Sequence, residues 1–176
     1  MKRISCFAAA VAVALGLAGC RSESRRPVDE KLLLTLEEAR AWQHRADVHL
    51  AGGEVQAAIA DVKQVLAIEF PPGTAEGEET RLDAWARLAR LDLSAGNEAA
   101  ALDDVEHGRK EATRDSFYRA HLETTSGEIL EARAKKIAAT DDNGAKAARR
   151  DALSAYQRSI EINKRVQSAL LRSDAP

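Results

Sequence analysis

Apolar residues return along most of this chain at three- and four-residue intervals, the spacing that lines up one face of an α-helix. Leu36, Ala39, Trp42, Ala46 and Leu50 form the first such stripe and predict a helix over 36–51. Thr35 followed by Glu38 is a capping-box pair at its start. Gly52 and Gly53 stop it, because glycine accepts the left-handed conformation at a helix C-terminus without strain. Leu32, Leu33 and Leu34, just ahead, either extend this helix or tuck a loop onto it. A second helix is predicted over 54–69, with Ala58, Ile59, Val62, Val65 and Leu66 on one face. It ends at Pro71-Pro72-Gly73, since proline cannot donate to the helix ladder and restricts the residue before it.

The same alternation of helix and stop then continues. A helix over 75–95 turns Leu82, Trp85, Leu88, Ala89 and Leu93 inward and ends at Gly96. One over 98–112 follows, with Ala101, Leu102 and Val105 inward. A longer helix over 115–139 carries Leu122, Ser126, Ile129, Leu130, Arg133 and Ile137 along one side. Gly127 in its interior costs roughly 1 kcal/mol against alanine, which is tolerable where a neighbouring backbone must come close. Asp141-Asp142-Asn143-Gly144 is a turn cluster. The last predicted helix, over 145–171, has Ala152, Tyr156, Ile160, Asn163, Val166 and Leu170 in its stripe. No segment sustains period-two alternation, so the expected fold class is all-α, built from three antiparallel helix hairpins.

The spacing itself recurs. Trp42 precedes Gly53 by eleven residues, and Trp85 precedes Gly96 by eleven. Trp42, Ala46, Gly53, Ala58 and Val62 are matched in register by Trp85, Ala89, Gly96, Ala101 and Val105. This series resembles the tetratricopeptide repeat family, in which an aromatic residue and a small one mark the first helix, a glycine the turn, and a small and a larger residue the second helix. The run from Ala152 through Tyr156 to Asn163 is similar to that family's second helix, although Lys164 stands where proline is usual. Gly127 and Leu130 fall at first-helix positions of a third repeat. The first two matches lie 43 residues apart, against 34 in the standard repeat, and the Pro-Pro-Gly loop accounts for the difference.

The resemblance implies a short α-solenoid over 35–172 that holds a protein partner. It also implies that one face of each first helix lines a concave surface. Those positions are Gln43 and Asp47 in the first repeat, Arg90 with Leu93 beyond it in the second, and Thr124 and Glu128 in the third. Trp42 and Trp85 are expected as buried packing residues in equivalent settings.

The first residues have a different character. Lys2 and Arg3 precede an apolar run over 4–17, too short to span a bilayer comfortably, and then Leu17-Ala18-Gly19-Cys20. This resembles a bacterial lipobox. It implies a signal peptide over 1–19, lipid attachment at Cys20, a flexible tether over 20–34 and a frayed tail over 173–176. Cys6 lies in the leader, so Cys20 is the one cysteine left to the processed chain. The expected location is the bacterial cell envelope, lipid-anchored at the periplasmic face. Arg21, standing where an aspartate commonly signals inner-membrane retention, favours the outer membrane.

Composition narrows the function. A net charge of −2 indicates neither a strongly basic nucleic-acid binder nor an acidic disordered tail. His44 and His49 are five residues apart and do not share a helix face as a metal pair would. The chain has no phosphate-binding loop and no nucleophile elbow. Asp103, Asp104 and Glu106 read as a solvated helix face. The expectation is therefore a non-enzymatic adaptor whose partner is a protein of an envelope complex. No catalytic residue, metal, cofactor, nucleic acid or small-molecule substrate is expected. The alternative is a structural or regulatory subunit without a peptide groove. An enzyme would need convergent polar residues that the sequence does not offer.

Overall fold

A computed structural model describes residues 29–173, and the regular structure among them is entirely helical. The elements are α1 (Glu30–Ala51), α2 (Val55–Ala67), α3 (Ala75–Ser94), α4 (Glu98–Glu111), α5 (Phe117–Ile137) and α6 (Asp142–Ser173). The expected leader, Cys20 and the tether through residue 28 lie outside the described residues, as does 174–176. No described helix is long and apolar enough to cross a membrane.

α1 starts six residues earlier than the stripe predicts. Asp29 accepts a hydrogen bond from the Leu32 amide at 3.2 Å, and Glu30 adds negative charge to the first turn. The Asp29 cap lets Leu32, Leu33 and Leu34 continue the helix, so residues 30–34, expected within the tether, are helical. Thr35 is left in the helix interior, its hydroxyl donating back to the carbonyls of Lys31 and Leu32. The capping-box reading of Thr35 and Glu38 is therefore corrected. At the other end helix persists through Ser173, where a frayed tail was expected to begin.

The turns after α1 and α3 have the same geometry. Gly53 and Gly96 take φ values of 78° and 85°. The amide of Glu54 donates to the His49 carbonyl, and that of Asn97 to the Asp92 carbonyl, both at 2.8 Å. Gly53 bonds Leu50 and Gly96 bonds Leu93, each at 3.0 Å. These paired bonds satisfy the last carbonyls of each helix in the Schellman manner, which needs a residue tolerant of positive φ. The register seen in the sequence is also a register of burial. Ala46, Ala58 and Val62 are buried in the first pair, and Ala89, Ala101 and Val105 in the second.

α2 packs between α1 and α3, α4 packs between α3 and α5, and α3 also touches both α1 and α5. One core joins Ala46, Val62 and Val65 to Ala84, Leu88 and Leu91. A second joins Ala89, Ala101 and Val105 to Leu122 and Ile129. Trp42 and Trp85 are half-buried at the edges of these cores, not fully buried as expected. Arg45 lies over the Trp42 ring at 4.2 Å, and His107 stacks on Trp85 at 5.1 Å. In α5 the residue four before Gly127, matching Trp42 before Ala46 and Trp85 before Ala89, is Glu123.

The third pair departs from the first two. α6 packs on α5 through Ala145, Ala148, Ala152, Ala155, Ser159 and Ile162, a seam of mostly small residues spaced three and four apart. Small residues let two helices approach closely. At Gly127 the neighbour that demands space is the ring of Tyr156, since a Cβ there would lie 2.6 Å from it. Ile160 and Leu170, expected inward, are 48% and 60% exposed. The stripe read from bulky residues was rotated from the true packing edge, because α5 comes in too near to admit them.

A candidate partner-binding furrow

α1, α3 and α5 lie side by side in that order, and a furrow runs between α1 and α3. It consists of two open hollows of about 290 and 440 Å³ that share Asp83 in their walls. Gln43 and Tyr118 border the first, and Asp47, Arg87 and Arg90 the second.

The walls are joined by polar pairs that cross from helix to helix. Gln43 Nε2 donates to Asp83 Oδ2 at 3.4 Å. The Arg87 guanidinium donates to Asp47 Oδ1 at 2.5 Å. Arg90 Nη1 lies 2.8 Å from His121 Nε2. Arginine can only donate, so His121 Nε2 accepts and the ring proton is assigned to Nδ1. Burial, then the Arg90 charge, holds the His121 pKa below its ordinary value, which keeps the ring neutral at pH 7. Phe117 stacks parallel to that ring at 6.1 Å.

Three of the six expected groove residues, Gln43, Asp47 and Arg90, line the furrow. Leu93 does not. It is half-buried against the core shared by α3, α4 and α5, where an apolar side chain gains by leaving water. Thr124 is an internal contact, its Oγ1 lying 2.9 Å from Ser159 Oγ of α6. Glu128 is exposed on α5, outside the furrow walls. Neither third-pair residue borders this furrow: Thr124 is held against α6, and Glu128 stands on the neighbouring helix. Asp83 and Arg87 were missed, and a signal for them existed. They stand four apart on α3, with Arg90 one turn on, opposite Gln43 and Asp47 four apart on α1.

No protein-family model, curated protein or solved structure matches this chain.

Two further carboxylates sit inside the helix layer. Asp61 is buried, and Arg45 donates to it from Nε at 3.0 and 3.1 Å and from Nη2 at 2.5 Å. These hydrogen bonds, outweighing desolvation, hold its carboxyl below the usual range. Asp104, expected on a solvated acidic face with Asp103 and Glu106, turns inward instead. Its Oδ2 is buried without a hydrogen-bond partner, beside Asp92 of α3. Burial, then the neighbouring Asp92 carboxylate, pushes the Asp104 pKa up to about 7. A proton on Asp104 Oδ2 would let it donate to Asp92 and so satisfy the orphaned atom.

Proposed function

We propose that this chain is a lipid-anchored, non-enzymatic adaptor of a bacterial envelope. Its helix pairs form a short tetratricopeptide-like solenoid that binds a protein partner along the α1–α3 furrow. The observation that carries this reading is the furrow itself. Its walls present Asp47, Asp83, Arg87 and Arg90 in a shallow channel open to solvent, between helices repeated 43 residues apart. Charges of both signs spaced along such a channel suit an extended peptide or a partner helix of mixed charge. The lipobox-like Leu17-Ala18-Gly19-Cys20 supports the anchor and the envelope location.

A second reading, a subunit with no peptide groove, is favoured by one observation. Gln43 is already bonded to Asp83 and Asp47 to Arg87 within the chain. The double variant Asp47→Ala, Arg90→Ala separates the two. Asp47 is exposed and Arg90 half-buried outside the cores, so the double variant is expected to stay within about 1 kcal/mol of wild-type stability. Under the first reading, capture of a stoichiometric partner from detergent-solubilised envelope falls at least about tenfold while the melting point holds. Wild-type capture by this variant would give preference to the second.

A further inference from the structure

The two outermost helices leave open the positions that are closed inside the molecule. α2 meets α3 in antiparallel fashion. Phe70, just after α2, packs at Gly77 near the start of α3, and Arg81 donates to the Leu66 carbonyl at 2.6 Å. In that contact α3 contributes Ala84, Leu88 and Leu91, and α2 contributes Ile59 and Leu66. The 43-residue register maps the α3 row onto Ala41, Arg45 and Val48 of α1. Leu91 is 4% exposed, whereas Val48 is 72% exposed. The alignment of Ala58 with Ala152 maps Ile59 and Leu66 of α2 onto Leu153 and Ile160 of α6. Ile59 is 6% exposed, whereas Leu153 is 68% and Ile160 48% exposed. Each end thus carries one half of an interface that the chain makes internally.

The charges on the two halves are complementary. Under the same antiparallel arrangement Lys164, aligned with Phe70, falls at the start of α1, where Glu30, Glu37 and Glu38 are exposed. Arg45, aligned with Leu88, is drawn aside onto Asp61 and the face of Trp42, and leaves Ala41 and Val48 uncovered. Beside Leu153 an open groove of about 370 Å³ between α5 and α6 gives room for an incoming side chain.

We propose that the occupant of both faces is a second copy of this chain, α6 of one molecule seating on α1 of the next in head-to-tail order. Such an interface is heterologous: its two halves are different surfaces, so association continues into a ring or an open row. That property gives a decisive test on the full chain purified in detergent. Wild type sediments as a concentration-dependent series. Leu153→Asp spoils every α6 face and Val48→Asp every α1 face, and each variant alone is expected to weaken association about thirtyfold. Mixed together they retain one intact α6 face and one intact α1 face, and form a one-to-one heterodimer that grows no further. Circular dichroism of each variant confirms that the exposed substitution leaves the helices intact. The proposal is overturned if wild type remains monomeric at every concentration, which would leave these faces to a different protein. It is equally overturned if either variant self-associates as wild type does, or if the mixture forms no heterodimer.

Discussion

Arg109 of α4 grips the carboxylate of Glu123 on α5, Nε lying 2.8 Å from Oε1 and Nη2 2.7 Å from Oε2. Arg158 of α6 adds a third bond to Oε2 at 2.8 Å. Three helices thus meet on one buried acid, at the position that carries tryptophan in the first two pairs. Burial pushes this carboxyl up, but the hydrogen bond and charge of Arg109, then of Arg158, outweigh it and hold it below the ordinary range. Where the repeat gives up its aromatic residue, a charged clamp ties the long α5–α6 hairpin to the rest.

Removing that acid should therefore do more harm than its size implies. Glu123→Ala leaves Arg109, about three-quarters buried, with Glu106 and Ser126 as its remaining partners. Breaking a buried pair costs about 3–5 kcal/mol, and the partial exposure of both arginines lowers the expectation to about 2–4 kcal/mol. Urea denaturation measures it. Because the folded pKa is depressed, the clamp is fully present above the unfolded value and is lost as pH falls through the folded one.

Asp104 works in the opposite sense. Its folded pKa is raised to about 7, so between about pH 4 and 7 the folded state holds a proton that the unfolded state has released. Stability falls as pH rises through that window. Asp104→Asn removes the titrating group while its amide can still donate to Asp92. The variant should be more stable than wild type at pH 8, by no more than about 2 kcal/mol at a partly exposed site, and the gain should vanish near pH 4. A pH-independent difference would show that Asp104 is not the titrating group.

The two tryptophans should no longer be treated as equals. Trp85 packs against both cores, whereas Trp42 touches only the first and is covered by Arg45. Trp85→Ala is expected to cost about 3–4 kcal/mol, and Trp42→Ala about 2 kcal/mol. Equal losses in thermal melts would place both side chains in the same setting after all.

What could be read in advance follows from the range of the forces involved. Glycine stops and the 3.6-residue period are local, and they placed six helices within a few residues of their ends, apart from the start of α1. There Asp29, ahead of the apolar stripe, outcompeted the nearer Thr35 as a cap. The burial of Asp104 and the clamp on Glu123 depend on what α3, α4 and α6 bring from elsewhere in the chain, and no periodicity encodes that. The same holds for the furrow. Gln43, Asp47 and Arg90 could be carried over from one repeat to the next because the first two pairs share a turn. Thr124 is tied instead to Ser159 of α6, a contact that no spacing encodes.

On the proposed reading, membrane attachment rests on a single atom, the Cys20 sulfur. Two or more acyl chains anchor stably, each buried methylene contributing about 0.8 kcal/mol. Cys20→Ser should leave an unprocessed or soluble product in a membrane fractionation. Normal processing and partition of that variant would exclude the anchor and leave the furrow unaffected.

The furrow admits one further test, because its central pair can be exchanged without being broken. Asp47 and Arg87 face each other across α1 and α3, with Asp47 more exposed than Arg87. Asp47→Arg combined with Arg87→Asp keeps two opposite charges facing each other with the sign reversed. Neither residue lies in a helix cap or a core, so the melting point should stay within about 1 kcal/mol of wild type in stability terms. The field presented to a ligand in the channel is inverted, and a partner selected by charge meets like charges where it had opposite ones. Capture should fall by at least about tenfold in the double variant, and by less in Asp47→Ala, which removes a charge without adding a repulsive one. If the swapped chain binds as wild type does, the pair is a strut between α1 and α3, and the partner is held elsewhere on the molecule.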